Sequence, residues 1–194
     1  SYINLQFSIE SLPDLATNEK VLKDNRDIAV VYTTHHATGS GLLNPIDAIG
    51  NLVHQSHAIF IVDTTSSFAM IPIDLSKEPV DFCMASAQKG IQAMTGLSFI
   101  IGRKDLIEAS AGYPKRSYYC NLYLQYAYYQ QTGQMHFTPP VQAIYAAKQA
   151  LQEYFNEGEQ QKWQRHQRVS NAIHKGLQEL GLQESIPLAL QSGL

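Results

Sequence analysis

The stretch from Ala58 to Gly102 constrains this chain most. It opens on Ala58-Ile59-Phe60-Ile61-Val62, an apolar run of strand length that ends on a carboxylate, Asp63. A second short run, Phe82-Cys83-Met84-Ala85, leads into Ser86-Ala87-Gln88-Lys89-Gly90. Continuous apolar strands of this kind belong in a parallel sheet covered on both faces, and such sheets carry their chemistry at the carboxyl ends of the strands. Asp63 and Lys89 stand at two such ends, 26 positions apart. A lysine flanked by small residues and followed by glycine reads as an amine held in a site. Burial there is expected to lower its pKa and make it a nucleophile.

The flanking chain supplies the rest of the layers. A helix is predicted at about Asp14 to Lys23, then a strand over Ile28-Ala29-Val30-Val31-Tyr32, closed by the polar, glycine-rich turn Thr33 to Gly41. Asn44 is expected to cap a helix with Pro45 in its first position, running to about His57. A fourth strand is predicted at Leu97 to Ile101. Further on come a helix from about Leu122 to Gln131, one capped by Thr138 and running to about Phe155, and one from about Glu159 to Leu180. On the last two, Val141, Ile144, Tyr145, Leu151 and Phe155, then Trp163, Val169, Ile173, Leu177 and Leu180, are expected to face inward. Ile186 to Leu190 reads as a strand or the approach to one. The alternation predicts an α/β fold, a three-layer α/β/α arrangement around a mostly parallel sheet. Residues 1–150 are expected to form part of a large domain, and 151–194 the connecting helices and the start of a smaller α/β one.

Charge and composition exclude several classes of function. Lys and Arg number 14 against 17 Asp and Glu, a net charge of −3, and no basic block is present to neutralise a phosphate backbone, so nucleic acid is not an expected partner. No apolar run reaches membrane-spanning length, and membrane association is not expected. Two cysteines, Cys83 and Cys120, provide neither a disulfide framework nor metal-ligand spacing. A reducing cytoplasm is the expected location. His35 and His36 are adjacent on an extended segment and so point to opposite faces, and no third ligand accompanies them; no metal site is expected. The chain reads as a piece of a longer protein.

Three strand ends converge in this scheme, with Thr38 after the first, Asp63 after the second and Lys89 after the third. An amine, a carboxylate and a hydroxyl are what a pyridoxal phosphate site needs: the amine to form an imine with the cofactor aldehyde, the carboxylate to pair with the pyridine nitrogen, the hydroxyl to bond the phenolic oxygen. Each also has an ordinary reading. Lys89 can be a loop lysine, Asp63 the cap of the turn that follows it, and Thr138 the start of a helix.

The residue order then becomes specific. Val62-Asp63-Thr64-Thr65-Ser66-Ser67-Phe68 with Ile71-Pro72-Ile73-Asp74, then Asp81-Phe82 and Ser86-Ala87-Gln88-Lys89-Gly90-Ile91-Gln92 with Gly96, resembles the class V aminotransferases of the fold-type I pyridoxal phosphate enzymes. His35 to Gly41 with Leu43-Asn44-Pro45, and Phe137-Thr138-Pro139-Pro140, resemble the branch that moves the amino group of 2-aminoethylphosphonate to pyruvate. Alanine:glyoxylate and serine:pyruvate types are the alternative on the same scaffold. A non-catalytic fragment of such an enzyme is another.

The resemblance implies pyridoxal 5'-phosphate as cofactor, amine and 2-oxo acid substrates, and a homodimer. It makes Lys89 the Schiff-base lysine and acid/base, Asp63 the pyridinium partner, Thr38 a contact to the phenolic oxygen and Thr65 a residue against one ring face. Ser86 and Gln88 would contact the phosphate, and Thr138 the phosphate of the neighbouring subunit's cofactor. The pattern departs from the family at Ala37, where an acidic residue is usual, at Gly39, at Phe68-Ala69-Met70, where a glycine pair is usual, and at His136. The family's phosphate loop, ring-stacking residue and carboxylate-binding arginine are not found between Ser1 and Leu194.

Overall fold

The computed structural model describes residues 2–194. Four strands, β1 (Val30–Thr34), β2 (Ile59–Asp63), β3 (Phe82–Ser86) and β4 (Ser98–Gly102), form one sheet in the order β1-β2-β3-β4. The first three are parallel, with Thr34 beside Asp63 and Asp63 beside Met84, and β4 returns antiparallel to β3. The predicted α/β fold with a mostly parallel sheet is the one observed. Six helices accompany it: α1 (Leu15–Asp24), α2 (Ile46–Gln55), α3 (Lys104–Ala109), α4 (Leu122–Thr132), α5 (Val141–Glu157) and α6 (Glu159–Glu179).

The core lies on one face of the sheet. Side chains alternate along a strand, so Phe60 and Val62 share a face, and both are fully buried. Leu22 of α1 and Ile46, Ile49 and Val53 of α2 pack onto them. At a general value of about 25 cal/mol per Å² of apolar surface removed from water, each such side chain contributes roughly 1.5–3 kcal/mol. The other face carries Val30, Tyr32 and Ile100, all exposed, with Ile59, Ile61, Phe82 and Met84 half-buried.

Strand starts and caps differ from the sequence reading for local reasons. The first strand begins at Val30 rather than Ile28, because the Ile28 amide closes a turn onto the Asn25 carbonyl after α1. Asn44 is not the cap of α2. Its side-chain amide donates to the Thr34 carbonyl (2.7 Å), holding the end of β1, and Pro45 takes the cap position with Ile46 as first helical residue. Likewise α5 begins at Val141 with Pro140 as cap, and Thr138 lies before it. The short helix α3 was not expected. Ile186 to Leu190 is not a strand: Leu188–Leu190 is a single 3₁₀ turn, and only Gln191 makes a bridge, to Leu42.

The inward faces of α5 and α6 are the largest correction. On α5 the buried residues are Ala143, Ala147 and Ala150, while Val141, Ile144, Tyr145 and Phe155 are exposed. The alanine stripe lets the helix lie close to the chain near Gly96, where a Cβ would stand 3.6 Å from that of Ala143. On α6 Lys162 and Ser170 are buried, and Val169, Ile173 and Leu180 are exposed. Helical spacing identifies a stripe but not which stripe meets the sheet.

Asp81 joins the layers. It is 3% exposed, and its carboxylate accepts from the Phe60 amide (2.8 Å), His54 Nε2 (3.0 Å) and Arg103 (3.1 Å). One side chain thus connects the start of β3 to β2, α2 and the end of β4. Replacing it leaves a buried amide without an acceptor. Asp81→Ala is expected to lower unfolding free energy by about 3–5 kcal/mol, read from denaturant midpoints at constant slope; a loss under about 1 kcal/mol would contradict this role.

Candidate active site

Thr34, Asp63 and Ser86 close β1, β2 and β3, and the parallel register puts all three on the same face at one end of the sheet. Asp63 is half-buried. Its Oδ1 accepts from the Thr65 amide (2.8 Å) and its Oδ2 from the Tyr32 hydroxyl (3.1 Å). Burial pushes its carboxyl pKa up, but the hydrogen bonds from Thr65 and Tyr32 outweigh it, and the net direction is down. A lasting anion at the end of β2 follows. The Tyr32 phenol moves up, first through its own burial and then through that anion.

The other expected residues divide into those the fold brings together and those it does not. The turn after β1 reaches the turn after β2 through Thr38 Oγ1 and Ser66 Oγ, 2.5 Å apart. Beneath them, buried His35 bonds Ser67 Oγ through Nδ1 (2.9 Å). The Ser86 hydroxyl is buried and has no partner among the described residues. Lys89 and Gln88, by contrast, are exposed. Burial of Lys89 was expected; instead Ala87, Gly90 and Ile91 take the interior positions of that turn and turn the two long side chains outward. Thr138 is exposed in the segment before α5, and no hydrogen bond ties it to the cluster.

The two turns carrying Asp63 and Lys89 are fitted to each other. Gly90 lies so close to the Phe68 carbonyl and the Met70 side chain that a Cβ there would collide with both. Ala69 and Gln92, one in each turn, hold φ of 59° and 63°, left-handed backbone that favours glycine. Ala69 falls in the Phe68-Ala69-Met70 stretch, where the resemblance implies a glycine pair, and its left-handed backbone is one that glycine adopts freely. Tyr32, Ser66 and Ser67 were missed as members of the cluster. For Tyr32 the signal was strand parity: counted from the true end of β1 at Thr34, it shares a face with Asp63.

An apolar cavity of about 180 Å³, lined by Phe68, Ile71, Cys83, Leu151 and Tyr154, lies on the side of β3 away from Asp63. Its lining is mostly apolar, and the Glu159 carboxylate at its wall would repel a phosphate, so it is no substitute for the strand-end cluster.

Residues 5–189 match the family described as aminotransferase class V. The chain belongs to the class V aminotransferases. Among its relatives, the 2-aminoethylphosphonate–pyruvate transaminase of Cupriavidus necator is 35% identical over 175 residues, which cover 90% of this chain and 46% of that protein. That of Lysinibacillus sphaericus is 35% identical, over 90% of this chain and 48% of its own length. The chain therefore spans about half the length of the curated relatives it matches. In solved structures, the alanine–glyoxylate aminotransferase of a Nostoc species superposes with a TM-score of 0.87 at 25% identity, over 95% of this chain and 49% of that one. The pyridoxamine–pyruvate aminotransferase of Mesorhizobium loti gives 0.85 at 28% identity, over 95% and 48%.

The family implies pyridoxal 5'-phosphate, and this chain's residues fit it. The fit rests on Asp63, an anion held at one strand end, and on the buried Ser86 hydroxyl at the next, a donor without an acceptor among the described residues.

The buried imidazoles beside the cluster make its scaffold acid-sensitive. Burial first, then the neighbouring His36, push His35 from the ordinary 6.5 down to about 4, and burial pushes His36 the same way. A folded pKa below the unfolded one means that the unfolded chain takes up the proton first. Stability is complete above about pH 6.5 and drains away as pH falls toward about 4. His35 alone is expected to cost about 2 kcal/mol between pH 7 and pH 5. Denaturant midpoints at the two pH values check this: His35→Asn removes most of that difference, and an unchanged difference would rule it out.

Proposed function

We propose that this chain provides cofactor-binding elements of an aminotransferase that moves the amino group of 2-aminoethylphosphonate to pyruvate, yielding phosphonoacetaldehyde and alanine. What carries the reading is the pairing of an anion at the end of β2 with a lysine in the turn after β3, in a chain whose relatives bear that transaminase's name. When bound, pyridoxal 5'-phosphate supplies an aldehyde that accepts the amino group and a ring that withdraws electrons from the carbon losing its proton.

The chain's own residues then have distinct tasks. Asp63, its carboxylate fixed by Tyr32 and the Thr65 amide, would keep the pyridine nitrogen protonated. Lys89 Nζ would hold the cofactor through its aldehyde and would serve as the acid/base for the proton on the substrate carbon. Ser86 and Gln88 would donate to the phosphate and Thr38 to the phenolic oxygen, and Thr65 would lie against the ring. Thr138 serves a second copy, giving a homodimer; its exposure in one chain is what a residue lent to a neighbour requires. Residues 1–150 form part of the large domain, and 151–194 lead into the next. Cytoplasmic location goes with the reading; among the described residues no helix is long and apolar enough to cross a membrane.

The alanine:glyoxylate type is the second reading, favoured by the 0.87 TM-score to the Nostoc enzyme and by the substitutions at Ala37, Gly39 and His136. The third, a chain that holds cofactor without turnover, is favoured by the exposure of Lys89. Borohydride reduction of the cofactor-loaded whole protein should label the peptide containing Lys89, and Lys89→Ala should abolish the label and lower turnover by roughly 10⁴-fold. The kcat/KM for 2-aminoethylphosphonate with pyruvate should exceed that for serine or for alanine with glyoxylate by about 10²-fold. A reversed preference would install the second reading; label at Lys89 without turnover of any of these amines would install the third.

A further inference from the structure

A charged side chain lies buried beneath the Lys89 turn with no task in the chemistry above. Lys162, in the first turn of α6, is 2% exposed. Its ammonium donates to the carbonyl of Gly90, the residue that follows Lys89, and stands 5.1 Å from the centre of the Tyr154 ring. The nearby carboxylate that could neutralise it, Glu157, is engaged by Arg165 in two hydrogen bonds of 2.6 and 2.9 Å. Burial dominates its environment and shifts its pKa down.

Stability explains this lysine poorly. A cation in the interior that meets a neutral carbonyl loses more hydration than it regains, and an apolar side chain of the same length would pack there at least as well. What the ammonium provides is direction. The turn closes on itself through Gln92 N to Lys89 O and Ala93 N to Ala87 O, both 2.9 Å, and Ala87 N donates to the Leu97 carbonyl (3.1 Å), but none of these three bonds holds Gly90. Gly90 is wedged against Phe68 of the Asp63 turn on one side, and Lys162 holds its carbonyl on another.

We propose that Lys162 is a positioning residue for Lys89: by gripping the Gly90 carbonyl from α6 it fixes the turn that carries the reactive amine against the turn that carries Asp63. This rests on the reading of Lys89 as the cofactor-bearing lysine. It adds that α6 and the strand-end site are mechanically joined through one hydrogen bond.

The test uses the cofactor-loaded whole protein, unsubstituted and with Lys162→Met, which keeps the length and loses the donor, or Lys162→Arg, which keeps a donor. Amide exchange over residues 86–93 should quicken about tenfold in the Met variant, with β1 and α2 unchanged. Borohydride labelling of Lys89 and kcat should each fall about tenfold at nearly constant KM, since a displaced reacting group costs rate rather than affinity. The Arg variant should recover most of both. Equal exchange and equal labelling in all three proteins would overturn the proposal and leave Lys89 in its role. Label elsewhere in the unsubstituted protein would remove the reading of Lys89 itself. Quickened exchange throughout the Met variant, with a lowered melting temperature and no recovery by Arg, would make Lys162 a general stabiliser and overturn the positioning role.

Discussion

Because β1, β2 and β3 run parallel in a register that sets Thr34 beside Asp63 and Asp63 beside Met84, their last residues cannot scatter. Strand side chains alternate, so a register fixed at one pair is fixed at every pair, and a slip by one residue would turn Asp63 into the core and Val62 out of it. Phe60 and Val62, both fully buried against α2, forbid that slip. The hydrophobic core on one face therefore decides which polar groups stand at the end of the other. Asp81 acts at the opposite end of β3, tying it to β2 and β4 before the strands diverge.

From that frame the two site-bearing turns gain their mutual fit. Asp63 lies beside Met84 of the strand that leads to Lys89, and beyond the strand ends Gly90 and Phe68 are in contact because no Cβ intervenes. The carboxylate is settled by its own neighbours, Thr65 and Tyr32, whereas the lysine is settled only through its backbone. That difference explains why the two residues look so unlike one another here: one half-buried and bonded, the other exposed on a constrained turn.

The sheet was legible in the sequence because apolar runs bounded by polar turns leave few alternatives, and so were the positions of Asp63 and Ser86 at strand ends and of Lys89 in the turn after β3. The phases of α5 and α6 were not. Both helices carry apolar residues on more than one side, and burial went to Ala143, Ala147 and Ala150, and to Lys162 and Ser170, which no hydrophobicity pattern selects. Tyr32 escaped because a single strand does not disclose its lateral register: the pairing of Tyr32 with Ile61 and of Thr34 with Asp63 is what brings its hydroxyl to the carboxylate. The burial of Lys89 was inferred from the small residues around it, but those residues themselves occupy the interior.

Ala69 and Gln92 carry a Cβ where the backbone is left-handed. Glycine would reach the same φ freely and many other angles besides; an L-residue has only a small island there, at roughly 1–2 kcal/mol above ordinary helix-like backbone. Turns built this way are harder to form and, once formed, harder to deform. Around the ends of β2 and β3 the backbone has few other conformations to visit, so a molecule arriving at those strand ends meets a surface already shaped.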